Sequence, residues 1–143
     1  MIRLVIDASV AIKWVIEEVG TAEALELRQH HLLAPDLLVV ECANVLWKKV
    51  RRKELTNEQA QLAARLLERA DIELLPMRRL LEDALTLSLT LGHPAYDCAY
   101  LALAAAQRCD FVTADERLVS KAGKALKPNR AFGLREAARA LAE

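Results

Sequence analysis

Arg3-Leu4-Val5-Ile6-Asp7-Ala8-Ser9-Val10-Ala11-Ile12-Lys13-Trp14 is the stretch that decides the fold. Leu4, Val5 and Ile6 form a short apolar, partly β-branched run. It has the length of a buried strand and is far too short to span a membrane. Asp7 ends the run, Ser9 follows, and Val10, Ala11, Trp14 and Val15 recur at helical spacing. The pattern is strand, turn, helix, with a carboxylate at the carboxyl end of the strand, the edge where open α/β sheets bind ligands. Asp and Ser also suit turns and helix caps through backbone hydrogen bonding alone. Asp7 therefore becomes a site residue only if the rest of the chain supplies partners.

Working outward, strand and helix patterns alternate. Gly20-Thr21 marks a break with Thr21 as helix cap, and residues 22–31 read as a second short helix with His30 and His31 at its surface end. Residues 32–34, closed by Pro35, read as a second strand, and Asp36 is placed to cap a helix over 37–52. Thr56 and Gln59 match a capping box, which predicts a helix to residue 70 with Leu62, Leu66 and Ala70 on its face. Residues 72–75, closed by Pro76, form a third strand pattern. Leu80, Ala84, Leu87 and Leu91 then recur at helical spacing before Gly92, a natural residue just past a helix end. We read residues 56–91 as an αα-hairpin with more Leu than one sheet face needs. His93-Pro94 opens a helix over 95–108, with His93 a turn residue. Residues 110–113 form a fourth strand, 117–124 a helix and 134–141 a terminal helix; a fifth strand within 125–134 has only a weak signal, interrupted by Pro128. This alternation predicts one α/β domain over residues 1–143, a three-layer α/β/α arrangement around a parallel sheet of four or five strands.

Composition narrows the function. The chain has 143 residues, 54% hydrophobic and 28% charged, with four Gly and four Pro, which describes an ordered globular protein. Its formal net charge is zero, so any nucleic-acid binding has to come from uneven charge distribution. Cys42, Cys98 and Cys109 are widely spaced and read as small buried residues of a reducing compartment. The apolar N-terminal run is too short for a signal peptide, and no stretch resembles a membrane span, so a cytoplasmic location is expected. Neither a phosphate-binding G-x-x-x-x-G-K-[ST] nor a dinucleotide-binding G-x-G-x-x-G sequence is present.

Four carboxylates carry the chemistry. Asp7 and Asp115 each follow a strand, Asp97 lies in the first turn of a helix, and Glu41 interrupts an apolar helix face with Asn44 one turn on. Each has a bland explanation: a cap for Asp7 and Asp115, the helix dipole for Asp97, a buried Glu–Arg pair for Glu41. If the first and fourth strands are neighbours, all four meet at one edge of the sheet. Clustered carboxylates repel and raise one another's pKa, and a divalent cation relieves this. Hard oxygen ligands without Cys or His select Mg²⁺ or Mn²⁺ over Zn²⁺. With no convincing His or Cys nucleophile, the chemistry points to a metal-activated water.

At these residues the chain resembles the PIN-domain family, and within it the VapC-type toxin ribonucleases of toxin–antitoxin pairs. The matching pieces, in the family's order and spacing, are VIDASVAIKW, PDLLVVECANVLWK, AYDCAYLALA and FVTADERL. The resemblance implies the strand order 3-2-1-4-5 and an acidic site of Asp7, Glu41, Asp97 and Asp115, with Asp7, Asp97 and Asp115 holding Mg²⁺ or Mn²⁺. Ser9 and Thr113 match hydroxyl positions near that site. It further implies RNA as substrate, a cognate antitoxin protein as partner and a homodimer.

An acidic site cannot attract RNA by itself, so cations have to flank it. Lys13 belongs at the cleft rim; Lys48, Lys49, Arg51, Arg52 and Lys53 form one basic cluster, and Lys121, Lys124, Lys127 and Arg130 a second. With few aromatic residues for stacking, the expected substrate is single-stranded or loop RNA held by its backbone, with steep salt dependence. Two rival classes are a PIN-like binding module without catalysis and a phosphatase or phosphotransferase using Asp7 as nucleophile. Mn²⁺-dependent nuclease activity lost in EDTA separates the first. The second would want an Asp where Ser9 stands, and a trapped phosphoaspartate would reveal it.

Overall fold

Arg3–Ile6 forms β1, the central strand of the sheet, and its Leu4, Val5 and Ile6 are fully buried. Strands buried on both faces read as continuous apolar runs, and this one does. The structure, a computed structural model, describes residues 1–142. The remaining strands are β2 (His31–Pro35), β3 (Glu73–Leu75), β4 (Asp110–Thr113) and β5 (Ala131–Gly133). All pairings are parallel, in the order β3-β2-β1-β4-β5. In register, Ile6 lies beside Val112, so Asp7 and Thr113 leave neighbouring strands at the same edge.

Helices flank the sheet. They are α1 (Ala8–Ala11, continued by a 3₁₀ turn to Trp14), α2 (Thr21–Glu26), α3 (Leu37–Arg51), α4 (Asn57–Glu68), α5 (Leu81–Leu91), α6 (Ala95–Gln107), α7 (Glu116–Ala125) and α8 (Leu134–Ala140). Seven consecutive residues of α6, Cys98 to Ala104, are buried where it packs on β1, β2 and β4. Among the described residues, no helix is long and apolar enough to cross a membrane.

The capping box is present: Gln59 N–H donates to Thr56 Oγ1 at 3.1 Å and Thr56 N–H to Gln59 Oε1 at 2.9 Å. Gly92 ends α5 at φ +63°, and all three cysteines are buried and free.

Other expectations need correction. Helix α2 is shorter than read from sequence, and His31 opens β2, beside Arg3 and bonded to Glu73 at 2.9 Å. Pairing with β1 overrides the local pattern here. Gly20, at φ +92°, precedes α2, while Thr21 Oγ1 accepts from Glu18 N–H. Asp36 sits before α3 but its side chain caps nothing. The αα-hairpin is absent: β3 separates α4, which packs on α3, from α5, which packs on α6. Ala60, Ala63, Ala64 and Leu67 form the packed face of α4, leaving Leu62 and Leu66 half exposed. The weak fifth strand does form, with Phe132 buried beside Val112.

Candidate active site

Asp7 sits in extended backbone at the start of α1, yet its side chain makes no cap. Both carboxylate oxygens accept from hydroxyls instead: Ser9 Oγ donates to Oδ1 and Thr113 Oγ1 to Oδ2, each at 2.5 Å. The hydroxyls are themselves fixed, since Ser9 Oγ accepts from Ala114 N–H at 2.9 Å and Thr113 Oγ1 from Asp115 N–H at 3.1 Å. The side chain of Asp7 therefore ties β1 to β4. Its carboxyl is pushed up to about 6, first by burial and further by Asp97, against the lowering effect of the two hydroxyls.

Among the described residues, Glu41 has no Arg partner. The Tyr100 hydroxyl donates to its Oε1, joining α3 to α6. Burial raises the Glu41 pKa, the Tyr100 bond opposes the rise, and Asp97 adds to it. Burial, with the carboxylate of Glu41 second, holds the Tyr100 hydroxyl far above its ordinary range. Asp97, in the first turn of α6, accepts from or shares a proton with His93, whose Nε2 lies 2.6 Å from Oδ2. On the other side of the ring, Lys121 Nζ lies 3.3 Å from Nδ1. A lysine ammonium only donates, so Nδ1 accepts and Nε2 carries the proton given to Asp97. Asp115 does cap α7: its Oδ1 accepts from the amides of Arg117 (3.0 Å) and Leu118 (3.4 Å). That explanation therefore holds for Asp115 and fails for Asp7.

Asp7, Glu41, Asp97 and Asp115 line one cleft of ≈ 380 Å³, together with Ser9 and Asn44. Their oxygens are not gathered to coordinating distance: among the described residues, no three His, Cys, Asp or Glu side chains form a ready cage. The donor set is nonetheless all hard oxygen, and Asp97 raises the pKa of both Asp7 and Glu41, so a divalent cation suits the cleft chemically.

The cations divide. Lys13, Lys48 and Lys49 line the acidic cleft. Arg52 does not; it borders a separate depression with Trp47, Lys48 and Arg51. The second basic cluster is split by the fold. Lys121 stands beside His93, whereas Arg130 bonds Asp110 at the amino end of β4, away from the cleft. Three participants escaped the sequence reading: Glu18, which pairs with Lys13 and Lys49 at 3.0 Å each, Tyr100 and His93. The spacing Asp97-x-x-Tyr100 puts those two on one face of α6, and His93, just before that helix, stands four residues ahead of Asp97. Nothing local marked Glu18.

Residues 4–124 match the PIN domain family. The ribonuclease VapC3 of Pyrobaculum aerophilum is 34% identical, over 83% of this chain and 94% of that protein. The crystal structure of PAE2754 from Pyrobaculum aerophilum superposes with a TM-score of 0.72 at 22% identity, covering 99% of this chain and 98% of that one. VapBC2 from Rickettsia felis, bound to a DNA fragment from its promoter, gives 0.64 at 13% identity over 93% and 98%. The two superpositions establish the fold, and the sequence matches establish the kinship: this chain belongs to the PIN-domain family and is a relative of its VapC ribonucleases.

Proposed function

We propose that this protein is a Mg²⁺- or Mn²⁺-dependent endoribonuclease and the toxin of a VapBC-type toxin–antitoxin pair. The observation that carries the reading is one cleft lined by Asp7, Glu41, Asp97 and Asp115, with lysines beside them. Kinship to a VapC ribonuclease supports it. In this reading Asp7, Asp97 and Asp115 hold the cation and Glu41 completes the acidic site, with Ser9, Thr113 and Asn44 supporting. When bound, the cation acidifies a water for attack on the phosphodiester and offsets transition-state charge. Ser9 and Thr113 keep Asp7 oriented, Tyr100 does the same for Glu41, and Lys13, Lys48 and Lys49 draw the RNA backbone toward the acids.

His93 acts on Asp97. Outer hydrogen bonds to ligating groups typically change metal affinity 10–100-fold. His93→Ala should therefore weaken Mn²⁺ binding by about tenfold or more in calorimetry, while His93→Gln, which keeps a donor, should recover much of it. Equal affinities for wild type and His93→Ala would remove that role.

Two partners belong to the proposal. A cognate antitoxin would lay a helix on the surface and insert a basic side chain among the carboxylates; VapBC2, a toxin–antitoxin complex by name, is the structural relative that motivates it. A second copy of the chain would cover the exposed stripe of Leu81, Leu85 and Leu89 on α5, with Tyr96 beside it. Light scattering at micromolar concentration should give a dimer mass, and Leu85→Lys a monomer; a wild-type monomer would contradict it. The function itself is tested by expression in a bacterial host. Growth should arrest, RNA ends should accumulate at defined positions, and the product of the neighbouring gene should restore growth. Expression without new RNA ends would argue against a ribonuclease toxin.

A further inference from the structure

We infer that Lys13 and Lys49 form a phosphate-binding fork that Glu18 fills in the free protein, and that an RNA phosphodiester displaces Glu18 when it binds. This rests on the ribonuclease reading above. Lys13 comes from the turn after α1 and Lys49 from α3, so the two ammonium groups are brought together only by the fold. Each reaches a different oxygen of one carboxylate: Lys13 Nζ to Glu18 Oε1 and Lys49 Nζ to Oε2, both at 3.0 Å. A phosphodiester likewise presents two anionic oxygens on one centre, so it can replace the carboxylate without adding charge to the fork.

The cleft needs such a site. Asp7, Glu41, Asp97 and Asp115 repel an approaching phosphate, Glu18 is the fifth acid in the cleft lining, and of the three lysines there only Lys48 forms no ion pair among the described residues. RNA therefore either binds with Lys13 and Lys49 already neutralised or takes the place of Glu18. The structure favours exchange. The two lysine side chains are only 13% and 16% exposed, whereas Glu18 is 28% exposed. The Glu18 backbone is fixed by its amide bond to Thr21 Oγ1 at 3.0 Å, so release requires only side-chain rotation. Glu18 also edges a second groove of ≈ 440 Å³, with Leu55 and Gln59, that has room for the displaced carboxylate. Lys49 keeps Glu54, 3.6 Å away, as a counter-charge.

The test is binding of a labelled single-stranded RNA octamer in EDTA, read by fluorescence anisotropy at several salt concentrations. Glu18→Gln should bind about five- to tenfold more tightly than wild type, because Lys13 is set free and Lys49 keeps only the more distant Glu54. Glu17→Gln is the control: Glu17 is exposed, outside the cleft, and carries the same charge change. It should alter affinity less than about twofold. Lys49→Gln, a second variant that does not depend on Glu18→Gln folding, should weaken binding and flatten the salt dependence. Equal gains for Glu17→Gln and Glu18→Gln, no gain for Glu18→Gln, or no loss for Lys49→Gln would overturn the fork. The two readings fail separately. RNA cleavage by wild type without the Glu18→Gln gain removes the fork alone. The gain without Mn²⁺-dependent cleavage leaves a phosphate site and removes the ribonuclease.

Discussion

Asp7→Asn should make the metal-free protein more stable while abolishing its cleavage of RNA. Asp7 is 6% exposed, and its carboxyl is pushed up to about 6 from 3.8, first by burial. The folded chain thus binds this proton more tightly than the unfolded chain. The stability so gained is present below the unfolded value and is lost as pH rises through about 6. At neutral pH the ionised Asp7 costs the metal-free fold about 3 kcal/mol. Asn mimics the protonated acid. Its amide can donate to one hydroxyl, which turns its proton toward the other, since Ser9 Oγ and Thr113 Oγ1 lie 3.3 Å apart. In EDTA at pH 7.5, Asp7→Asn should melt roughly 5–10 °C above wild type, with the difference shrinking toward zero near pH 4. Cleavage should fall by about two orders of magnitude or more. A merely structural Asp7 gives the same pH-dependent gain, which comes from burial, but leaves cleavage normal.

Glu41→Gln is the second large effect, and it separates fold from chemistry on another element. Were Glu41 held by a buried Arg, Gln would strand that charge and lower stability by several kcal/mol. Its partner is Tyr100, and the Gln carbonyl still accepts from that hydroxyl. Metal-free melting should therefore stay level or rise slightly. Wild type should gain about 2.7 kcal/mol at a Mn²⁺ concentration a hundred times its Kd, and Glu41→Gln should lose most of that gain along with cleavage. Thermal melts with and without Mn²⁺ read both quantities from one preparation.

The sheet and the four acids were legible in the sequence because their signals are local. Leu4, Val5 and Ile6 announce a buried strand, and Thr56 and Gln59 a helix start. A carboxylate at the end of a strand or inside an apolar helix face is conspicuous wherever the chain later goes. What escaped depends on tertiary neighbours. His31 reads as the end of a helix until β1 claims it as a strand residue. Residues Ala131–Gly133 lack strand character but close the sheet because β4 offers an open edge and Phe132 is buried there. A cap looks the same in sequence at Asp7 and at Asp115, and only the hydrogen bonds show that Asp115 caps its helix while Asp7 does not. Basic residues of one sequence cluster, Lys121 and Arg130, are sent to different ends of β4, whereas Lys49 comes from a distant position to meet Lys13 and Glu18.

The most direct measurement is cleavage of one single-stranded RNA by wild type, Asp7→Asn and Glu41→Gln, assayed in parallel with Mn²⁺ and with EDTA. The expected result is cleavage by wild type with Mn²⁺ alone, none in EDTA, and none by either folded variant. Near-normal cleavage by both variants, or wild-type cleavage that survives EDTA, would contradict a carboxylate-held cation as the source of the activity.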